Sequence, residues 1–280
     1  MLVEHSLRSL LSHSSLPANE SRILLAHILE QHYQLPRTTL IAHDDMVLNQ
    51  TALAEWLALE SRRTSGEPIA YLVGKKGFHG IELCVAPGVL IPRPETELLV
   101  DIALATIQTI QGSATVLDLG TGSGAIALAI AAAAPGVLVV ATDQSSEALA
   151  IAGKNRGLLG LTGQVELAEG NWYGALESGA QFDVIVSNPP YIAAQDPHLN
   201  QGDLRFEPTS ALTDQGNGLN CLEIIITQAG QYLKSGGLLA VEHGFDQSKS
   251  VIELMKNAGL REIQAHLDLA GHQRVASGRK

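Results

Sequence analysis

The sequence predicts an α/β fold: a doubly wound, mostly parallel sheet of seven strands, preceded by a small N-terminal helical domain. Three observations carry this. From residue 114 onward, strand-like and helix-like segments alternate regularly, the pattern of repeated βα units. The chain is 45% hydrophobic but only 4% aromatic, so its core material is Ala, Leu, Ile and Val, which suits helices packed on a parallel sheet. The first 70 residues show helical spacing and no strand alternation. A length of 280 residues accommodates two domains of ordinary size.

Taken in order, residues 1–70 read as a helical bundle. Leu7, Leu10 and Leu11 fit a short first helix. Pro17-Ala18-Asn19-Glu20 resembles a capped start, followed by a stripe of Ile23, Leu24, Ile28 and Leu29. Thr51 to Arg63 forms another helix around Leu53, Trp56, Leu57 and Leu59. The bundle serves either as a docking domain or as a packing cap. From Pro68 short β-like pieces are broken by Gly74, Gly77, Gly80, Pro87, Gly88, Pro92 and Pro94, and residues 71–94 read as a β-hairpin linker. Arg93 and Glu97, where it meets a helix starting near Glu95, belong either to an active-site wall or to a solvated helix start.

Residues 95–280 form the larger domain. Its strands are expected at Thr115–Leu119, Val137–Thr142, Gln164–Leu167, Phe182–Ser187, Gly237–Glu242, Arg261–Ala265 and Gln273–Ala276. Helices fall between them at Ser123–Ala134, Ser145–Arg156, Leu219–Leu233 and Gln247–Ala258, with a long loop over 192–216.

Charge and composition narrow the function classes. The formal net charge is −11, and residues 88–280 alone carry 11 Lys+Arg against 20 Asp+Glu. No basic stripe suited to a duplex is visible, so direct nucleic-acid binding is not expected. Cys84 and Cys221 have no paired spacing, and ten histidines lie without an HExxH or Cys/His cluster; neither a disulfide nor a metal is expected. Glu4 and His5 interrupt any early apolar run, which argues against a signal peptide. Ala125 to Thr142 holds 18 uncharged residues, but Pro135-Gly136 splits it into an Ala-rich helix and a Val-rich strand. No membrane span is expected, and the composition is that of a cytoplasmic enzyme.

The chemistry concentrates in three places. The first sheet strand ends in Asp118-Leu119-Gly120-Thr121-Gly122-Ser123-Gly124, a glycine loop that turns tightly and approaches a ligand closely. Its GxGxG spacing differs from the GxGxxG of dinucleotide folds. Asp118 before it would repel a pyrophosphate and attract the ammonium and sulfonium of S-adenosylmethionine. Asp143 ends the second strand, where a carboxylate accepts ribose hydroxyls or caps the next helix. Trp172, after the third, offers a flat wall for an adenine or fills the core.

The fourth strand ends in Ser187-Asn188-Pro189-Pro190-Tyr191, a stretch that two prolines stiffen. In a doubly wound sheet this strand lies beside the first, at the carboxyl-end crevice. The Asn188 side-chain carbonyl and the Pro189 backbone carbonyl can accept the hydrogens of an amide or ring amine, leaving its lone pair aimed at a methyl group, while Tyr191 packs on the planar group. Such positioning is worth roughly 7–11 kcal/mol of barrier.

The loop, Asp143 and Asn188-Pro189-Pro190-Tyr191 together resemble N-directed S-adenosylmethionine methyltransferases. Leu90-Ile91-Pro92-Arg93-Pro94-Glu95-Thr96-Glu97, Arg205-Phe206-Glu207-Pro208 and Glu242-His243-Gly244 narrow this to the protein-(glutamine-N5) methyltransferases of the PrmC/HemK type, along nearly the whole chain. The resemblance implies a Rossmann-like methyltransferase sheet and a bundle over 1–70 that docks peptide chain release factors, whose Gly-Gly-Gln glutamine is methylated. It implies that Gly120, Thr121, Gly122, Ser123 and Gly124 bind the methionine part of S-adenosyl-L-methionine, with Asp143 on the ribose and Asn171 and Trp172 on the adenine. Asn188, Pro189, Pro190 and Tyr191 would hold the substrate amide, and the product would be S-adenosyl-L-homocysteine. Asn171 departs from the family's usual Asp, but its side-chain carbonyl can still accept from the adenine amino group, so at most a weaker cofactor affinity is expected. Glu242-His243-Gly244 is expected to be structural, and Glu207 structural or a brace of the Asn-Pro-Pro-Tyr loop. A monomer is the default.

Competing readings are N6-adenine or N4-cytosine methylation, whose amines need the same clamp but whose flipped bases want a basic channel; a cofactor-binding adaptor without turnover; and an NAD-dependent dehydrogenase.

Overall fold

The computed structural model describes residues 5–280, so Glu4 lies outside the described residues. The chain forms two compact units, one ending at Lys75 and one spanning Lys76–Lys280.

The first unit contains helices α1 (Leu7–His13), α2 (Ala18–Tyr33), α3 (Thr39–Ala42), α4 (Gln50–Thr64) and α5 (Ile69–Val73). Leu24, Leu25, Ile28 and Leu29 recur at helical spacing on α2 and pack with Leu7 and Trp56 in one core. Asn49 caps α4 by accepting from Ala52 N at 2.9 Å. α2 does start where expected, yet no side chain caps it. Pro17 takes the cap position instead, and its carbonyl receives Glu20 N and Ser21 N. Glu20 accepts two hydrogen bonds from Arg63, at 2.7 and 2.8 Å, so the start of α2 is tied to the end of α4.

The second unit opens with strands β1 (Lys75–Phe78) and β2 (Ile81–Cys84), paired as a two-stranded sheet. The hairpin falls within the stretch 71–94 where one was expected. Phe78 and Leu83 are buried in the main core of the unit. The Asn155 side chain accepts from Cys84 N at 2.7 Å and donates to Cys84 O at 3.0 Å. Apolar alternation marked the strands, but which unit they join depends on this remote asparagine.

The remaining elements are α6 (Glu97–Ile107), β3 (Thr115–Leu119), α7 (Ala125–Ala133), β4 (Leu138–Asp143), α8 (Ser146–Leu158), β5 (Val165–Glu169), β6 (Phe182–Ser187), α9 (Thr209–Leu212), α10 (Asn220–Tyr232), β7 (Leu233–Glu242), α11 (Ser248–Asn257), β8 (Arg261–Leu267) and β9 (Gln273–Arg279). Seven strands order as β5-β4-β3-β6-β7-β9-β8. The pairs from β5 to β7 are parallel, and β9 runs antiparallel to both β7 and β8. The two-residue alternation of strands divides the core. Val116, Val184, Val186 and Ala240 face the side covered by α6 and α7, whereas Leu117, Ile185 and Leu239 face α10 and α11. No helix among the described residues is long and apolar enough to cross a membrane.

Strand order reverses between β4-β3 and β6-β7, so the crevice above their carboxyl ends is the expected ligand position. The glycine loop after β3 and Asn188 after β6 both open there.

Candidate active site

A cavity at that position, with about 180 Å³ of internal space, is lined by Gly120, Gly122, Asp143, Asn171, Trp172, Asn188 and Pro190, all anticipated from sequence. Its remaining walls were not. They come from Gly88, Val89 and Leu90, from Gln144, Ser145 and Ala148, and from Pro208, Ser210 and Ala211. Leu90 and Pro208 stood in quoted motifs without a role in the cavity, and most of the others are small or apolar side chains that carry no charge, so the sequence did not place them here.

The glycine loop owes its shape to positive φ at Gly120, Gly122 and Gly124. A Cβ on Gly120 would lie 3.2 Å from the Trp172 ring, so bare backbone at 120 is what admits the indole. Trp172 itself holds φ at 48°, an uncommon conformation for a bulky residue and a cost borne to aim the ring. A Cβ on Gly124 would meet Leu128 at 2.8 Å and Ala152 at 3.3 Å, which makes this the glycine that lets α7 and α8 close up. Thr121 and Ser123 are buried beneath the loop and do not line the cavity.

Asp143 keeps both carboxyl oxygens engaged: Oδ2 accepts from Gly122 N at 2.8 Å and Oδ1 from Ser145 N at 2.9 Å. It thereby braces the glycine loop while lining the cavity. The helix cap considered for it belongs to Ser145, which accepts from Ala148 N at 3.2 Å.

Asp118 requires a correction. Expected to face a cation in the crevice, it is fully buried on the α7 side of the sheet. Its Oδ2 accepts from Thr121 Oγ1 at 2.7 Å and Ala127 N at 3.2 Å, and Oδ1 is buried without a partner. Strand alternation turns it away, because Asp118 shares a face with Val116. Burial pushes its carboxyl up from 3.8 to about 7, against the hydrogen bonds from Thr121 and Ala127. The folded state thus favours the protonated form: that stabilisation is complete below pH 3.8 and is lost as pH rises through about 7. Asp118→Asn does not titrate, so its melting temperature should climb relative to wild type between pH 5 and pH 8. Thermal unfolding at both pH values checks this, and a pH-independent difference would mean that the carboxyl is ionised throughout.

Asn188 stands at the cavity's edge and donates through Nδ2 to Thr96 Oγ1 at 3.0 Å. Pro189 is buried and does not line the cavity. Tyr191 also points away, its hydroxyl donating to Glu242 Oε1 at 3.0 Å. Burial first, and then the Glu242 charge, raise its pKa above the ordinary phenol value, so it remains a donor. The brace of the Asn-Pro-Pro-Tyr loop is therefore Glu242, not Glu207. Glu242 Oε2 is buried without a hydrogen-bond partner. Burial pushes the carboxyl to about 7, opposed by Thr96, Tyr191 and Arg274 and reinforced by Glu95.

Glu207 is also buried, but it holds Arg93 and accepts from Ile91 N at 2.9 Å, so it ties the wall at 88–90 to the wall at 208–211. Arg93 thus does shape the site, whereas Glu97 accepts from His79 N at 2.9 Å in the hairpin turn. Gln247 closes the other end: its Nε2 donates to Tyr191 O at 2.9 Å and Gly218 O at 3.2 Å. A Cβ on Gly218 would sit 2.3 Å from Tyr191 O, so this loop packs on bare backbone.

No Lys or Arg among the described residues lines the cavity, while Asp143 does. A pyrophosphate would find a carboxylate and no cation, whereas a cationic, phosphate-free nucleoside derivative fits the polar set.

Sheet order, glycine loop and cleft define the protein as a methyltransferase of the Rossmann-like class. Residues 95–218 match the family model "Methyltransferase small domain", and residues 3–74 match "PrmC N-terminal domain". The fold is similar to a crystal structure of a methyltransferase from Pyrococcus furiosus, with a TM-score of 0.54 at 19% identity over 79% of this chain and 97% of the other. The release factor glutamine methyltransferase of Burkholderia pseudomallei is 48% identical over 96% of this chain and 94% of its own. That of Bordetella pertussis is 46% identical over 97% and 98%. The chain belongs to the release factor glutamine methyltransferase family.

Proposed function

We propose that the protein transfers a methyl group from S-adenosyl-L-methionine to the side-chain amide nitrogen (N5) of the glutamine in the Gly-Gly-Gln motif of peptide chain release factors. The observation that carries this is the Asn188 amide, set at the edge of a cation-free cleft with its nitrogen bound inward to Thr96. Its oxygen is then the atom left to accept a substrate N–H.

When bound, the cofactor supplies an electrophilic methyl on a sulfonium and departs as S-adenosyl-L-homocysteine. Gly120 and Gly122 would face its methionine part, Asp143 its ribose hydroxyls, and Asn171 and Trp172 its adenine. The substrate amide would be held by Asn188 Oδ1, which accepts one of its N–H groups and sets the nitrogen toward the methyl; Pro189, buried off the cavity, would serve to stiffen the backbone that carries Asn188. Pro190 forms the adjoining wall, and Tyr191 acts as a strut through its bond to Glu242. Alignment by these groups can recover roughly 7–11 kcal/mol of barrier.

The helical unit ending at Lys75 would dock the release factor. The protein would work as a cytoplasmic monomer without direct nucleic-acid contact, in keeping with its net charge of −11. Incubation with labelled cofactor and a release factor should label the protein substrate and leave a control with Gln of Gly-Gly-Gln changed to Ala unlabelled. Equal labelling of both, or label on DNA or RNA but not on release factor, would overturn the reading.

A further inference from the structure

We propose that Gln247 is a positioning residue for this reaction: its side-chain amide fixes the backbone at Tyr191 and, through the two prolines, the place of Asn188 at the cleft. The inference rests on the function proposed above for its kinetic part, but its structural part can be tested alone.

Gln247 lies just beyond Glu242-His243-Gly244, in the turn between β7 and α11. That turn settles its backbone: Gln247 N donates to Gly244 O at 2.9 Å, and Gln247 O accepts from Val251 N at 3.1 Å. The side chain folds back on the same turn, Oε1 accepting from Gly244 N at 2.8 Å. A backbone N–H can only donate, so this bond decides which way round the amide sits. Nε2 then faces the other way, where it donates to Tyr191 O at 2.9 Å and Gly218 O at 3.2 Å. One donor and two acceptors, all of them backbone groups, thus surround the amide. Glutamate would lack the two donors, lysine the acceptor and leucine both, so the site calls for glutamine.

The clamp needs an anchor of this kind. Pro189 and Pro190 have no N–H to donate, and their fixed φ makes Asn188 to Tyr191 a stiff segment whose two ends move together. One end is held through the Asn188 bond to Thr96. At the other, the Glu242 bond reaches only the tip of the Tyr191 ring, whereas Gln247 grips the backbone itself. The fit there is close: a Cβ on Gly218 would lie 2.3 Å from Tyr191 O and 2.8 Å from Gln247 Nε2. Gly218 is in turn fixed by Asp214, whose Oδ1 accepts from Gly216 N at 2.8 Å and Gly218 N at 3.0 Å. Ala194 N donates to Gly216 O at 3.0 Å. The chain leaving the clamp therefore runs between two settled loops, and Gln247 is the side chain that binds both to Tyr191. Gln247 does not line the cavity, so its effect falls on the alignment of the amide and not on the cofactor's walls.

The test compares Gln247→Leu and Gln247→Glu with wild type in the full chain. Leucine removes all three bonds; glutamate keeps the acceptor for Gly244 N and removes both donors. Gln247→Leu should lower kcat for release factor about 30-fold, since a misplacement of about 1 Å can cost about 10²-fold, with the Kd for S-adenosyl-L-methionine held within about threefold. Gln247→Glu should lower kcat at least as much, although its own turn stays capped. Because Gln247 acts through Asn188, the double variant Gln247→Leu/Asn188→Ala should lose no more than about threefold beyond Asn188→Ala alone. Thr115→Val controls for stability: it gives up a hydrogen bond to Asp183 at the opposite end of the sheet and should lower the melting temperature without lowering kcat. The Asn188 side-chain amide signals in ¹⁵N NMR should shift in both Gln247 variants and not in Thr115→Val. A glutamate variant as active as wild type would reduce Gln247 to a cap of its own turn and overturn the proposal. So would losses that add in the double variant, unmoved Asn188 signals, or a Thr115→Val kcat that falls in step with its stability. If wild type fails to methylate release factor while the Asn188 signals respond as stated, the positioning stands and the substrate assignment falls.

Discussion

Asn188→Ala is expected to lower kcat by about 10²- to 10³-fold, the usual cost of deleting one preorganised polar group at the reacting centre. The Kd for S-adenosyl-L-methionine should stay within about threefold, because the cavity walls at Gly120, Gly122, Asp143 and Trp172, proposed above to hold the cofactor, do not depend on Asn188 for their hydrogen bonds. The variant also loses the bond to Thr96, a stability cost of about 1 kcal/mol, too small to unfold an ordinary domain. Single-turnover methylation of a release factor, paired with a calorimetric titration of the cofactor, separates the two effects. If kcat were unchanged and Kd rose instead, Asn188 would be a cofactor ligand and the methyl acceptor would have to be oriented by another group. Asn188→Asp offers a sharper contrast. It keeps an acceptor in the cleft but sets a second carboxylate beside Thr96 and the buried Glu242, and like charges at close range disfavour joint ionisation.

The sheet was legible because its signal is local and repeated. Strands β3 and β6 fall on the expected residues, Thr115–Leu119 and Phe182–Ser187, and their adjacency followed from the winding of βα units. Asn188, Asp143 and the glycine loop were legible for a related reason: each ends a strand, and strand ends converge in such folds. What escaped was set by pairs of residues far apart in the chain. Asp118 was assigned to the ligand because it precedes the glycine loop, yet its direction depends on which face of β3 it occupies. Thr96 was visible only as part of a motif, and its partner Asn188 is 92 positions away. Glu207 and Glu242 are both buried acids near the site, and composition cannot say which braces which loop. The hairpin's place in the second unit hung on Asn155, which is 71 positions from Cys84.

The pair Arg93–Glu207 is where a single substitution should cost the most stability. The Glu207 side chain is wholly buried and its partners are the Arg93 guanidinium and Ile91 N. Removing the guanidinium leaves a buried carboxylate with one N–H donor, and breaking a buried ion pair from one side costs about 3–5 kcal/mol. With the Arg93 side chain about one-third exposed, the lower end, about 3 kcal/mol, is expected for Arg93→Ala, measured as the shift in urea unfolding midpoint. Because Ile91 follows Val89 and Leu90, and Glu207 precedes Pro208, the same change loosens two walls of the cavity. The Kd for S-adenosyl-L-methionine should rise about tenfold, a coupling of about 1.4 kcal/mol. Burial raises the Glu207 pKa, against the pull of Arg93 and of Ile91 N–H; without Arg93 it rises further. A carboxyl with a raised folded pKa loses stability as pH climbs through that pKa. The deficit of Arg93→Ala should therefore grow as pH rises and shrink as pH falls, because at lower pH Glu207 takes up a proton instead of standing as an unpaired charge. Adding Glu207→Gln to Arg93→Ala removes the charge altogether and should recover more of the loss at high pH than at low pH. A deficit that stayed constant with pH, or a double variant no better than the single, would mean that Arg93 stabilises the loop through packing of its side-chain stem, with the ion pair contributing nothing.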